Sequence, residues 1–130
     1  MIGILLVTHG TLGEALLQNV CHVLNHRPPQ LAQLGVAAQD DPLDILPTAR
    51  HLLAAVNHGE GVLVMTDLYG ATPANVALKL LEPGRVEGVA GINLSMLLRA
   101  LTYRDRDLET LVAKAISGAR DGVLNMRKEV

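Results

Sequence analysis

With 130 residues, 49% of them hydrophobic and 18% charged, the chain can bury one ordinary core and is too short for two, which excludes disorder and makes residues 1–130 a single expected domain. A formal net charge of −2 with scattered Lys and Arg excludes a nucleic-acid footprint. The apolar runs fall far short of a membrane span and the start lacks a secretory pattern, so a cytoplasmic location without membrane insertion is expected.

"MIGILLVT" (1–8) is apolar without alternation, as in a strand covered on both faces. From Thr11 the spacing changes: Leu12, Ala15, Leu16, Asn19, Val20 and Val23 recur at helical intervals, and Thr11 with Glu14 fits a capping box. A weaker strand lies in "LAQLGVAA" (31–38), after which Asp41 as N-cap and Pro42 in the first turn open a helix to about His58. "GVLVMT" (61–66) is the third strand, and Thr72 as N-cap with Pro73 at the first helical position opens the next helix. "RVEGVAGI" (85–92) gives a fourth strand and Ser95 opens a short helix. The last long helix starts near Asp107, with Leu108, Leu111, Val112, Ala115 and Ile116 on one face, and is expected to break between Gly118 and Gly122. "VLNM" (123–126) could add a short antiparallel edge strand. The alternation predicts an α/β fold: an open, doubly wound, mostly parallel sheet in the order 2-1-3-4 with helices on both faces.

In such sheets ligands bind beyond the carboxyl ends of the strands, near the reversal of strand order. Strands one and three flank that reversal, and they end in His9 and Asp67. A carboxylate that accepts a hydrogen bond from one imidazole nitrogen fixes the tautomer and frees the lone pair of the other to attack. An incoming phosphoryl group could be held by backbone N–H groups around Gly10 and Thr11 and by the hydroxyl of Thr72. With an activated phosphohistidine as donor, no metal and no other cofactor is needed. On spacing alone a plainer reading stays open, in which His9 is a turn residue and Asp67 caps a helix.

The remaining chemistry-bearing residues read as structural or undecided. Cys21, the only cysteine, falls on the apolar face of the first helix and is expected as a buried thiol. His22 and His26 share a helix face but lack further ligands for zinc; His26 is better placed to meet the helix C-terminus. His51 and His58 read as solvent-facing. Asn75 and Asn93 could bind substrate or satisfy turn backbone, and Tyr69 could dock a partner or pack in its loop.

"LLVTHGTLGEALL", "GVLVMTDLYGATPANVA" and "VAGINLSMLLRAL" resemble, in order and spacing, the signature segments of the mannose-family EIIA domain of the bacterial phosphotransferase system. The resemblance covers nearly the whole chain. Its most specific part is a His-Gly turn after strand one combined with an Asp-Leu-aromatic-Gly-small-Ser/Thr-Pro-x-Asn segment after strand three. It implies a phosphotransferase with a phosphohistidine intermediate: His9 accepts a phosphoryl group from phospho-HPr and passes it to an EIIB protein, Asp67 orients the ring, and Thr72 lines the site. It also implies a homodimer, with the C-terminal strand crossing the interface; as the sequence stops at Val130, without the EIIB domain fused to some relatives, the EIIB acceptor is expected to be a separate protein. Two alternatives remain at this stage, a phosphorylation-dependent regulator without a transport role and the phosphocarrier subunit of dihydroxyacetone kinase. A receiver domain is excluded because "VTHG" lacks the paired acidic residues that would hold Mg²⁺ at the end of strand one.

Overall fold

The computed structural model describes residues 1–128. The continuous apolar runs become the middle of a sheet buried on both faces, and the 3.6-period stretches become the helices that cover it. Strands β1 (Gly3–His9), β2 (Leu31–Val36), β3 (Val62–Thr66) and β4 (Val86–Ala90) alternate with helices α1 (Leu12–Leu24), α2 (Pro42–Val56) and α3 (Thr72–Leu78). Helices α4 (Leu94–Tyr103) and α5 (Leu108–Asp121) follow, then a 3-10 turn at Met126–Lys128. All four strands are parallel in the expected order β2-β1-β3-β4.

Period-two alternation along β1 divides the core into two layers. Ile2, Ile4 and Leu6 pack with Val20 of α1, Met96 and Leu97 of α4 and Leu111 of α5. Leu5 and Val7 point the other way, against Ala49 and Val56 of α2 and Val76 and Ala77 of α3. Each fully buried aliphatic side chain contributes about 1.5 to 3 kcal/mol, so the sheet is held by its faces. No helix among the described residues is long and apolar enough to cross a membrane.

The amino ends of the strands are tied by a buried cation. The Arg104 side chain, 3% exposed, donates from Nε to the Ile2 carbonyl at 3.0 Å and from its two terminal nitrogens to the carbonyls of Pro29 and Gln30, each at 2.7 Å. Burial lowers the pKa of this guanidinium, with nearby Asp105 opposing the shift. Even so it stays charged at neutral pH.

Several local expectations are corrected. "VLNM" forms no strand: residues 123–125 are irregular and Met126 enters the 3-10 turn, so β4 is an edge strand whose outer side, among the described residues, is met only at Val86, by a bridge to Glu82. Helix α5 ends within the expected Gly118–Gly122 stretch, at its far end: it runs to Asp121 and Gly122 is its C-cap. A Cβ at position 118 would lie 2.7 Å from the Cβ of Arg99, so the glycine is where α4 and α5 close on each other. The Thr11–Glu14 box is not formed, since the Thr11 side chain makes no capping bond. Instead the Gly13 amide donates to Thr8 Oγ1 at 2.7 Å, a cap supplied by the preceding strand. Thr72 is the first residue of α3, with Ala71 in the capping position, and α4 is capped by Asn93 two residues ahead of Ser95. Asp41 caps α2 as expected and Asp107 caps α5, each accepting an amide hydrogen bond in the first turn.

Candidate functional site

β1 ends at His9 and β3 ends one residue before Asp67, and the parallel register that pairs Val7 with Thr66 brings these ends side by side. The imidazole and carboxylate meet. His9 Nδ1 lies 2.8 Å from Asp67 Oδ2, and the His9 backbone N–H donates to the same oxygen at 3.1 Å. The two groups differ in exposure: 51% for the His9 side chain and 13% for Asp67.

Burial pushes the Asp67 carboxyl up, but the hydrogen bonds from the His9 ring and amide outweigh it and hold the group below the ordinary carboxylate value. The ionised carboxylate only accepts, so Nδ1 carries the proton that faces it. In the neutral ring the lone pair is then on Nε2, which has no protein partner among the described residues.

The turn behind His9 depends on two glycines. Gly10 adopts φ +49°, a left-handed conformation that side chains disfavour, and its N–H donates to the Val36 carbonyl at 2.9 Å. Gly35 makes room for that turn. A Cβ there would sit 2.2 Å from the Gly10 carbonyl oxygen.

His9, Gly10 and Thr72 line one cleft of about 400 Å³, with Val36, Ala37, Ala38 and Pro73. The Thr72 hydroxyl has no protein partner among the described residues, whereas the Gly10 amide is already committed to Val36. Thr11 is exposed at the start of α1 and does not line the cleft. The N–H groups of Thr11, Leu12 and Glu14 have no acceptor among the described residues, and the first helical bond of α1 runs from Ala15 to the Thr11 carbonyl.

The other candidates fall into place around this site. Asn93 accepts the Met96 amide at 2.8 Å and donates to the Ala119 carbonyl at 3.3 Å, so both ends of its side chain serve backbone. Asn75, His22, His51 and His58 are exposed. His26 Nδ1 bonds the Leu24 carbonyl at 3.0 Å, meeting the end of α1 as expected. Cys21 is half-buried, less enclosed than its helical position suggested. Tyr69 is 78% exposed beside Leu68 in the loop after β3 and does not pack into that loop; with Leu78 it borders a small apolar groove against β4. No cluster of three or more His, Cys, Asp or Glu able to hold a metal ion occurs among the described residues. Reading the sequence misses Thr8, Gly35 and the cleft walls at Ala37 and Ala38. A glycine inside a strand does signal close backbone approach, so Gly35 carried a usable sign.

The family model for the EIIA-man group, described as the PTS system fructose IIA component, matches residues 3–116. The chain belongs to the EIIA-man family. It is 29% identical over 125 residues to the mannose-specific EIIAB component of Escherichia coli strain K12, a match that covers 94% of this chain and 38% of that protein. The chain thus spans less than half the length of the curated relatives it matches. Among solved structures, phosphotransferase system component EIIA from Streptococcus agalactiae superposes with a TM-score of 0.86 at 26% identity, over 98% of this chain and 99% of that one. The mannose/sorbose-specific IIA subunit from Enterococcus faecalis has the same fold, with a TM-score of 0.84 at 24% identity over 95% and 93% of the two chains. These matches favour neither the dihydroxyacetone kinase subunit nor a regulator without a transport role.

Proposed function

We propose that this EIIA-man chain works as a single phosphocarrier domain in the cytoplasm, with His9 accepting a phosphoryl group from phospho-HPr and passing it to an EIIB protein. The observation that carries the reading is the 2.8 Å bond between His9 Nδ1 and Asp67 Oδ2 on a ring that is otherwise half open to solvent. It leaves Nε2 as the nucleophile. The Nε2 lone pair attacks phosphorus as the donor's N–P bond breaks, and the donor nitrogen leaves with that bond's electron pair. The ring proton stays on Nδ1, where the Asp67 charge offsets the positive charge the imidazole gains. Transfer to the acceptor reverses these steps.

Thr72 and the unpaired amides of Thr11 and Leu12 are the groups left to receive phosphoryl oxygens, while the left-handed Gly10 keeps the turn free of side-chain bulk. The reaction is a transfer between two imidazoles, so His9 and Asp67 are the catalytic pair and no cofactor enters the scheme. Mass spectrometry after incubation with phosphoenolpyruvate, enzyme I and HPr tests the proposal. One added phosphoryl group on His9 is expected, and an unmodified His9 beside an active donor would overturn it.

We also infer a homodimer. Supporting it are the open outer edge of β4 and the exposed apolar side chains of Val123, Leu124 and Met126 beyond α5, which a second copy could cover. Sedimentation equilibrium tests this, and a monomer at every concentration would refute it.

A further inference from the structure

Thr8 occupies a position that the pattern of β1 reserves for an apolar side chain. Ile2, Ile4 and Leu6 point to the same face and are buried in the layer covered by α1. Thr8 is also fully buried, at 0% exposure, yet carries a hydroxyl. A buried hydroxyl without a partner is costly, so its bond shows what it is for. Oγ1 accepts the Gly13 N–H at 2.7 Å.

That bond closes a short loop of chain whose interior is His9, Gly10, Thr11 and Leu12. Residues 8, 9 and 10 are thereby each held to a different element: Thr8 to α1, the His9 amide to Asp67 after β3, and the Gly10 amide to Val36 of β2. The fit around the Thr8 contact is close. A Cβ on Gly13 would lie 2.8 Å from Thr8 Oγ1 and 3.3 Å from Gln33 Oε1. That Gln33 oxygen is buried and has no hydrogen-bond partner among the described residues.

We propose that Thr8 is a positioning residue for transfer through His9: its hydroxyl closes the 8–13 loop and so fixes the angle at which the imidazole meets Asp67 and presents Nε2. The inference rests on the phosphocarrier reading for its consequence but not for its geometry. Thr8→Val keeps the side-chain shape and removes the oxygen, Thr8→Ser keeps the oxygen, and Gly13→Ala presses on the same contact while the hydroxyl remains.

Two readouts are taken on each full-length variant: the ¹⁵N shifts of the His9 ring nitrogens, and the single-turnover rate of phosphoryl transfer from phospho-HPr. For Thr8→Val and Gly13→Ala the ring nitrogens are expected to move from the wild-type Nδ1–H pattern toward a tautomer average, with transfer slowed about tenfold to a hundredfold, the scale set by ångström-level misplacement. Thr8→Ser is expected to keep both near wild type. Wild-type ring shifts and rates in a folded Thr8→Val protein would overturn the proposal and leave Thr8 as a helix cap only. If Thr8→Val does not fold, Gly13→Ala decides by the same two readouts. Failure of the wild type to accept phosphate refutes the phosphocarrier reading instead, and the ring shifts still decide the role of Thr8.

Discussion

Replacing Asp67 by Asn keeps the shape of the side chain and removes its charge. His9 directs two donors to Asp67 Oδ2, the ring Nδ1–H at 2.8 Å and the backbone N–H at 3.1 Å. A hydrogen bond to a charged acceptor contributes about 1.5 to 3 kcal/mol and one between neutral groups about 0.5 to 1.5, so the ring bond alone weakens by roughly 1 to 1.5 kcal/mol. Coulomb attraction gives a consistent figure. A positive ring 2.8 Å from the carboxylate gains about 1.5 kcal/mol at the dielectric constant of water, the limit suited to a half-exposed ring. Both figures describe the same lost interaction, which corresponds to roughly a tenfold slower transfer. The carboxamide adds a second penalty, because it can turn its NH₂ toward Nδ1 and favour the tautomer whose proton blocks Nε2. Rapid-quench measurement of phosphoryl transfer from phospho-HPr is therefore expected to show a loss of about tenfold or more in a protein that still folds, with the urea midpoint lowered by the lost contribution of the pair. A rate within about twofold of wild type in a folded Asp67→Asn protein would refute the reasoning and reduce the aspartate to a structural partner.

Four further outcomes are expected. His9→Ala abolishes phosphorylation, read by mass spectrometry, while circular dichroism stays that of the wild type because the ring is half exposed. Gly35→Ala drives a methyl group against the Gly10 carbonyl, so thermal unfolding registers a loss of about 1 to 3 kcal/mol; transfer slows as the His9 turn is displaced. Arg104→Met strips the Ile2 and Pro29 carbonyls of their charged donor and lowers stability in urea by about 1 to 3 kcal/mol, with the transfer rate of the folded protein unchanged. Acid unfolding carries the mark of Asp67: its folded pKa lies below the usual 3.8, so the unfolded chain takes up the proton first. The pair's contribution is therefore complete above 3.8 and is lost as pH falls through the lower folded value, and Asp67→Asn flattens that part of a stability-against-pH curve.

Strand order and the meeting of His9 with Asp67 were legible because both follow from one rule: parallel strands joined by covering helices put their carboxyl ends, and whatever residues sit there, at a common edge. What escaped notice depends on contacts between distant segments. Thr11 and Glu14 have the spacing of a capping box, but Thr8 on the neighbouring strand reaches the Gly13 amide. Gly118 lies inside the last turn of α5, where its missing side chain makes room for Arg99. "VLNM" has the composition of a strand, yet residues 123–125 are irregular and Met126 enters a 3-10 turn. Composition records a preference, and packing decides among preferences.

The Arg104 clasp grips the feet of β1 and β2, whereas the imidazole hangs from their heads. Anchorage and reactivity thus occupy opposite poles of the same strands, separated by a rigid aliphatic slab. Loops at the reactive pole, after β2 and after β3, can accordingly be exchanged to retune which proteins the chain recognises while the fastening beneath stays untouched. A library randomised at the exposed positions 38, 39, 68 and 69 would sample new pairings while leaving the Asp40–Ala37 turn bond and the left-handed Gly70 in place.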